Sequence, residues 1–207
     1  MAPERVRIRA MTTLLAVAAH PDDECFLFGG ALADAALRGH RAGLLCLTDG
    51  QAGRTGDRTA RADLARVRRA ELHEAVQVLG IPHVFTPGLS DGGLEAYGDE
   101  RGAALVKEVA EEFGADVLLS FGPEGASGHA DHKATWRWTR AASDGRRHYA
   151  ATFPESAYPL VRGGTPLPVT TVIDLAHLGD RKREAFLRHQ TQRESINSRK
   201  LCVCKLL

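Results

Sequence analysis

A short run of residues near the start of the chain, His20-Pro21-Asp22-Asp23-Glu24, carries side chains that bind metals and move protons. The imidazole of His20 and the carboxylate of Asp23 are one opening helical turn apart, so both can face one point in space. Asp22 falls between them and can aim at a water beside a metal rather than at the metal. Acidic residues also suit a helix N-terminus, so this run alone leaves both interpretations open.

A second group, Gly-His-Ala-Asp-His over residues 128–132, follows a Gly- and Pro-containing loop at residues 121–128. If the two groups meet, His20, Asp23 and His132 supply three protein ligands and leave a coordination position for water. That number is typical of catalytic rather than structural zinc sites. The alternative is a helix cap with two surface histidines, but the matching positions of the two groups favour a Zn²⁺ site.

The elements that must position these residues alternate along the chain. Short apolar runs predict strands at Thr13–Ala18, Gly43–Leu47, His83–Thr86, Asp116–Ser120 and Val169–Asp174. Helical periodicity predicts helices at Glu24–Arg38, Thr59–Leu79, Glu100–Phe113, Ala130–Ala142 and His177–Gln190. Strands separated by long helices imply right-handed crossovers. The predicted fold class is therefore α/β, a three-layer Rossmann-like fold with a mainly parallel sheet.

This architecture predicts where the two groups lie. The first group directly follows the strand at residues 13–18, and the second follows the strand at residues 116–120. Ligands of open parallel sheets bind beyond the carboxyl ends of the strands. We therefore expect both groups at one edge of the sheet, close enough to share a metal.

Composition limits the class of partner. The chain has 207 residues, and its 27 Lys and Arg against 26 Asp and Glu leave a formal net charge of +1. That balance gives no electrostatic reason to expect nucleic acid or an anionic membrane. No apolar run approaches the ~20 residues that span a bilayer. We expect a small-molecule substrate, no nucleic-acid partner and no membrane partner, and a homo-oligomer stays open.

The cysteines and the N-terminal segment bear on location. The four cysteines do not form the pattern of a disulfide framework, so reduced thiols are the simplest interpretation. Ala16-Val17-Ala18 resembles a signal-peptidase site, but cleavage there would remove the predicted first strand. We therefore predict a cytoplasmic protein.

Together the two groups resemble the LmbE/PIG-L-like family of zinc-dependent de-N-acetylases. The resemblance runs from Leu14 to Gln192. It includes the landmarks Thr48-Asp49-Gly50, Arg68-Arg69-Ala70-Glu71-Leu72, Asp91-Gly92 and His189-Gln190-Thr191-Gln192. It implies an N-terminal extension at residues 1–12, a deacetylase domain at 13–192 and a C-terminal tail at 193–207.

The resemblance also implies a role for each matching residue. The zinc ligands would be His20, Asp23 and His132, the general base Asp22, and the histidine that stabilises charge His129, oriented by Asp131. Arg68 and Asp91 match positions that contact the sugar-like part of the substrate. The implied activity is removal of an N-acetyl group from an N-acetylglucosamine-type sugar or conjugate by zinc-activated water.

Two other functions stay open. The same site with a different pocket would make an amidase that acts on larger thiol conjugates. A sugar- or nucleotide-binding module could keep the fold without turnover. A pure binding module has no need of a base such as Asp22 or of a charge-stabilising group such as His129, which favours an enzyme.

Overall fold

Five parallel strands form the centre of the computed structural model, which describes residues 11–55, 59–152 and 167–195. The strands are β1 (Thr13–Ala18), β2 (Arg41–Cys46), β3 (His83–Phe85), β4 (Val117–Phe121) and β5 (Arg147–Ala151). Their order across the sheet is β3-β2-β1-β4-β5, and every pairing is parallel. This order matches five of the six strands of the 3-2-1-4-5-6 doubly wound sheet, and it confirms the predicted fold class.

Helices flank the sheet and connect its strands. They are α1 (Gly29–Leu37), α2 (Leu64–Leu79), α3 (Leu94–Tyr97), α4 (Asp99–Phe113), α5 (Gly125–Gly128), α6 (Ala130–Ala141) and α7 (Gly179–Phe186). Helices α1, α2 and α7 contact one another, and α3, α4 and α6 form a second group. The predicted stop of α2 is confirmed, since Gly80 follows it with φ +80°, a left-handed conformation that glycine adopts without a steric penalty.

The core explains why the central strands were predictable. Strand β4 is buried along its whole length, and β1 and β2 are buried over most of theirs. Strands covered on both faces are nearly continuous apolar runs. Gly43 in β2 lets helix α4 pack closely on the sheet, because a Cβ there would lie 2.7 Å from the Phe113 ring of α4.

The edges of the fold differ from the sequence prediction. Strand β5 was missed because its sequence, Arg-His-Tyr-Ala-Ala, lacks an apolar run, and an edge strand that is half-exposed does not need one. The predicted strand Val169–Asp174 is wrong: these residues form no strand, and Val169 and Val172 are 43% and 40% exposed. Their β-branched side chains raise β-propensity, but propensity does not supply a neighbouring strand.

The helix boundaries also shift. The predicted helix at Glu24–Arg38 begins with a π-helical turn, Glu24–Phe28, before α1. The predicted helix at His177–Gln190 is shorter, since α7 lies between the 3₁₀ turns Ala176–Leu178 and Gln190–Ser195. None of the helices in the described ranges is long and apolar enough to cross a membrane. Most of the predicted N-terminal extension and C-terminal tail lies outside the described residues.

Candidate metal centre and active site

The two predicted groups meet at the carboxyl ends of two neighbouring strands, β1 and β4. Strands β1 and β4 are adjacent, and the chain order changes direction between them. His20 follows β1, and His129 and His132 lie on the N-terminal end of α6, beyond β4. Such a switch point leaves a crevice at the carboxyl ends of the strands. The topology therefore brings residues more than a hundred positions apart into one site.

Three predicted ligands form a tight triangle there. His20 Nδ1 lies 3.3 Å from His132 Nε2, Asp23 Oδ1 lies 3.3 Å from His132 Nε2, and Asp23 Oδ2 lies 3.6 Å from His20 Nδ1. Two ligand atoms on one tetrahedral zinc, each ~2.0–2.1 Å from the ion, are about 3.3–3.4 Å apart. The spacing of the triangle therefore suits a single small metal ion.

The hydrogen-bond partners of His20 and His132 leave one nitrogen of each imidazole free to bind a metal. His20 Nε2 lies 3.0 Å from Asp131 Oδ2 and 3.1 Å from Asp91 Oδ1, so this nitrogen carries the hydrogen and Nδ1 is free to coordinate. His132 Nδ1 lies 3.0 Å from the Gly125 carbonyl oxygen, which leaves Nε2 free. Histidines that bind metals characteristically donate their other N–H in this way. The donor set fits a metal.

Electrostatics in the cluster also favour a cation. Burial lowers the pKa of His20, but its hydrogen bonds to Asp131, Asp23 and Asp91 outweigh burial and raise that pKa well above its usual value. Burial raises the pKa of Asp23, but His132 and His20 hold it well below its usual range. The carboxylates thus stabilise positive charge at this point, either a proton or a metal ion. Metal binding at such a site releases protons.

Asp22 lies beside the triangle in a strained backbone conformation. Its φ is +115°, a region that residues other than glycine rarely occupy and that is found at functional sites. Burial raises the pKa of Asp22 to about 6, although the Arg68 guanidinium opposes the shift. A carboxyl group with a raised pKa is a better proton acceptor near neutral pH than an ordinary aspartate.

The Arg68 side chain is held by contacts within the protein and also lines the cavity. The sequence predicts that its guanidinium faces the sugar, but in the structure Arg68 is 3% exposed. It donates to the Gly50 carbonyl oxygen at 2.8 Å, to the Pro21 carbonyl oxygen, and to Asp22 Oδ2 at 3.2 Å. Gly50 is needed for this fit, because a Cβ there would lie 2.1 Å from Arg68 Nη1. Arg68 therefore holds the loop and the carboxylate of Asp22, while still lining the cavity.

Asp91 and Asp131 both converge on His20. Asp91 Oδ1 contacts His20, and its Oδ2 accepts the Ala52 N–H at 2.9 Å, so both oxygens that were predicted to face sugar hydroxyls already have protein partners. The Asp131 carboxylate contacts His20 and accepts the N–H groups of Gly92 and Leu94. Asp131 was expected to orient His129 through its side chain. Its carboxylate points elsewhere, because α6 turns it toward His20.

His129 is positioned by the backbone instead. It precedes α6 as the N-cap residue, and its Nδ1 accepts the Asp131 N–H at 3.2 Å. With Nδ1 as acceptor, the hydrogen of the neutral ring is on Nε2, which can donate to a ligand. Burial lowers the pKa of His129, and His20 and His132 lower it further. The structure thus favours a neutral hydrogen-bond donor at this position.

All these groups line one open cavity with a volume of about 550 Å³. This volume is within the range of about 300–1,000 Å³ for small-molecule sites. Its lining includes every predicted site residue except Asp131. The triangle, Asp22 and His129 therefore face a common space that a small molecule can enter.

Sequence reasoning assigned no role to a buried pair behind Asp22. Glu24 and His189 are both 0% exposed, and Glu24 Oε1 lies 2.5 Å from His189 Nε2. Burial lowers the pKa of His189, but the Glu24 carboxylate raises it above its usual value. The available signal was that Glu24 ends the first motif and His189 begins a recognised landmark. Their pairing across 165 positions was not readable from either motif alone.

The fold and the cluster define a class of protein, an α/β domain with a His/Asp/His cluster that could hold a metal ion at the switch point of a parallel sheet. Comparison with protein families makes the class specific. Residues 15–143 match the model of the PIG-L family, described as GlcNAc-PI de-N-acetylase. Since this match covers more than half of the chain, the protein belongs to the PIG-L family, as the resemblance predicted.

Named relatives agree with this assignment, and a solved structure has the same fold. A 1D-myo-inositol 2-acetamido-2-deoxy-alpha-D-glucopyranoside deacetylase of Corynebacterium glutamicum is 31% identical over 65% of this chain and 53% of its own length. A probable N-acetyl-alpha-D-glucosaminyl L-malate deacetylase 2 of Bacillus anthracis is 30% identical over 70% and 62%, respectively. The chain thus spans between half and two thirds of these relatives. A conserved protein of Thermus thermophilus superposes with a TM-score of 0.71 at 25% identity, over 92% of this chain and 84% of that one.

Proposed function

We propose that the protein is a zinc-dependent N-deacetylase that hydrolyses the N-acetyl group of an N-acetylglucosamine-type sugar or conjugate. One observation carries the proposal: the triangle of His20, Asp23 and His132 has the spacing of a metal centre, and Asp22 lies beside it in an open cavity. Relatives that are named as deacetylases of inositol- and malate-linked amino sugars indicate the substrate class.

The metal supplies chemistry that no side chain here offers. His20 Nδ1, His132 Nε2 and one oxygen of Asp23 would hold the zinc ion. A zinc ion held in this way polarises an acyl carbonyl and lowers the pKa of water from 15.7 toward ~7. Asp91, Asp131 and the Gly125 carbonyl oxygen keep the two imidazoles in the required tautomers.

Asp22 is the proposed general base and then general acid. Its carboxylate takes a proton from the attacking water as the C–O bond forms, and returns it to the sugar nitrogen as the C–N bond breaks. The products are acetate and the free amine. Its raised pKa, about 6, suits both steps, and Arg68 fixes the orientation of the carboxylate.

His129 is the proposed donor to the negative charge that develops on the oxygen of the acyl carbonyl group. A neutral ring with hydrogen on Nε2 can stabilise this charge without first gaining a proton, and the acceptor role of Nδ1 fixes that tautomer. The loss of one such preorganised donor costs ~10²–10³ in rate. Asp131 acts on His129 through its backbone N–H.

Contacts with the sugar stay a prediction for Arg68 and Asp91. Both residues line the cavity, and Asp91 lies next to the Gly92 turn. Each carboxylate oxygen has more than one acceptor site, so the protein contacts of Asp91 leave capacity for a hydroxyl group. The proposed location is the cytoplasm, where the buried, unpaired thiols of Cys25 and Cys46 would stay reduced.

The function is tested by acetate release from a defined panel. The panel holds N-acetylglucosamine, its α-methyl glycoside, its inositol and malate conjugates, and a bulky thiol conjugate, each assayed with metal-free protein and after addition of one equivalent of zinc. We expect zinc-dependent acetate release from at least one small conjugate. Turnover of the thiol conjugate alone would favour the larger amidase, and binding without any turnover would favour a binding module.

A further inference from the structure

The buried carboxylate of Glu24 binds the backbone N–H of Asp22. The Asp22 N–H donates to Glu24 Oε2 at 2.8 Å, and the Asp22 carbonyl oxygen accepts from the Cys25 and Phe26 N–H groups at 3.0 and 3.2 Å. The acceptor for the N–H is a side chain two residues later, at the start of the π-helical turn. The strained φ of +115° at Asp22 therefore depends on the position of the Glu24 side chain.

Glu24 is itself fixed by a distant part of the chain. Its other oxygen, Oε1, contacts His189 Nε2 at 2.5 Å and accepts from Cys25 Sγ at 3.1 Å. Both Glu24 and His189 are 0% exposed, so no solvent competes for these contacts. A buried carboxylate is stable only with such partners. His189 therefore determines where Glu24, and through it the Asp22 N–H, can lie.

The segment that carries His189 is anchored independently. Thr191 donates to Glu71 from its N–H at 2.8 Å and from Oγ1 at 2.6 Å, and Gln192 Nε2 donates to the Arg54 carbonyl oxygen at 3.0 Å. Gln192 also lines the cavity. The C-terminal segment thus contacts helix α2 and the loop after β2, and presents His189 at a fixed point.

We propose that Glu24 and His189 form a positioning pair, which holds the Asp22 backbone in its strained conformation so that the carboxylate of Asp22 faces the metal centre. The inference rests on the proposed function for its effect on turnover, but not for its effect on the backbone. Neither residue lines the cavity, so the pair acts through Asp22 and not on the substrate.

A mainly structural role for the pair is separable from positioning. Replacing both partners of a buried ion pair by apolar residues of similar size is often neutral for stability. The double variant Glu24→Leu/His189→Leu therefore removes the acceptor for the Asp22 N–H without leaving an unpaired buried charge. Glu24→Gln keeps an acceptor of the same length and is the conservative control. Glu24→Asp keeps the charge but is one methylene too short to reach both partners.

A second control removes an unrelated buried contact. Ser120 Oγ lies 2.7 Å from His148 Nε2 and links β4 to β5 without contacting Asp22. Ser120→Ala therefore reports the general cost of losing one buried polar contact. If positioning is the role of the Glu24–His189 pair, Ser120→Ala lowers thermal stability with no selective effect on kcat.

The experiment combines amide hydrogen exchange of the metal-free protein with steady-state kinetics of the zinc-loaded protein. In the double variant and in Glu24→Asp we expect the Asp22 amide to exchange at least ~tenfold faster, with the amides of β1 unchanged. We expect kcat to fall at least ~tenfold, KM to stay within ~threefold and zinc to be retained, whereas Glu24→Gln keeps most of the turnover.

Two results would overturn the proposal. One is unchanged exchange of the Asp22 amide in Glu24→Asp, the variant that keeps the buried charge but cannot reach both partners. The other is a kcat loss in Ser120→Ala that equals the loss in the Glu24 variants. A parent protein that releases no acetate, together with faster exchange at Asp22 in the variants, would contradict the proposed function and support the positioning pair.

Discussion

The two motifs that meet at the metal centre are built in different ways. The segment at residues 129–132 is regular: His129 caps α6 with an extended backbone, and its ring accepts an N–H of the first helical turn. The segment at residues 20–24 is irregular, with Asp22 at φ +115° and a π-helical turn that begins at Glu24. The regular segment carries one proposed ligand and the proposed donor, while the irregular one carries two proposed ligands and the proposed base.

The difference shows where tertiary contacts are needed. The backbone of the second motif is regular, and a capped helix N-terminus is stabilised in part by its own hydrogen bonds. A strained residue persists only when its surroundings hold it, and costs of order 1–3 kcal/mol. The first motif accordingly depends on Arg68 and on Glu24 with its distant partner His189. Variants of the two motifs should therefore differ in their effect on stability, although both motifs contribute to the proposed catalysis.

The largest effect is expected at Asp22. Asp22→Asn should retain zinc and lower kcat by ~10²–10⁴, because an amide cannot accept the proton of water. The matched control is Asp23→Asn, which should lose zinc instead. Steady-state kinetics with elemental analysis of both variants distinguishes base from ligand. Near-parental turnover in zinc-loaded Asp22→Asn would show that the base lies elsewhere.

A somewhat smaller effect is expected in the regular motif. His129→Ala should lower kcat by ~10²–10³ with zinc retained, because one preorganised donor to the oxyanion is lost. His129→Gln, whose amide can still donate, should recover part of this loss. Equal activity of the two variants, both well below the parent, would contradict the neutral-donor role, since donation would then make no difference.

The free energy of unfolding should show how much the buried carboxyl group of Asp22 destabilises the folded protein. The pKa of Asp22 is raised to about 6 in the folded protein. An acid with a raised folded pKa favours folding at low pH and loses that contribution as pH rises through the folded value. Metal-free Asp22→Asn should therefore gain stability relative to the parent between pH 4 and 7, by up to about 3 kcal/mol. Denaturant unfolding across this range measures it, and a pH-independent difference would rule out the raised pKa.

The smallest effect is expected at Arg68. Arg68→Ala should lower kcat/KM by ~tenfold, equivalent to ~1.4 kcal/mol. If Arg68 mainly orients Asp22, the loss falls on kcat. If it mainly contacts the sugar, the loss falls on KM. Asp91→Ala offers the comparison, since its contact with His20 predicts reduced zinc affinity as well.

Most of the fold and the ligand triangle could be predicted from the sequence. Buried parallel strands are apolar runs, and their order places His20 and His132 at one edge. The contacts that other residues make with these proposed ligands could not be predicted. Asp91 lies in a turn and Asp131 in the first turn of α6, and both contact His20. Spacing along the chain does not predict that two carboxylates share this one imidazole.

The sequence prediction of the edge strands was wrong for a related reason. Strand β5 is polar, and the β-branched segment at residues 169–174 is not a strand, because pairing at an edge depends on which neighbour is available. The Glu24–His189 contact was missed on similar grounds, since it joins residues 165 positions apart. Local patterns identify buried elements and motifs, whereas the partners of single buried polar groups require the structure.

The most direct test of the account is the zinc content of matched variants. The central claim is that residues from both motifs bind one metal ion. Elemental analysis of the parent, His20→Ala and His132→Ala, each reconstituted with zinc and then dialysed, should give about one zinc per chain in the parent. Each variant should retain less than about a tenth of that amount. Full zinc retention in either variant would contradict the shared metal centre.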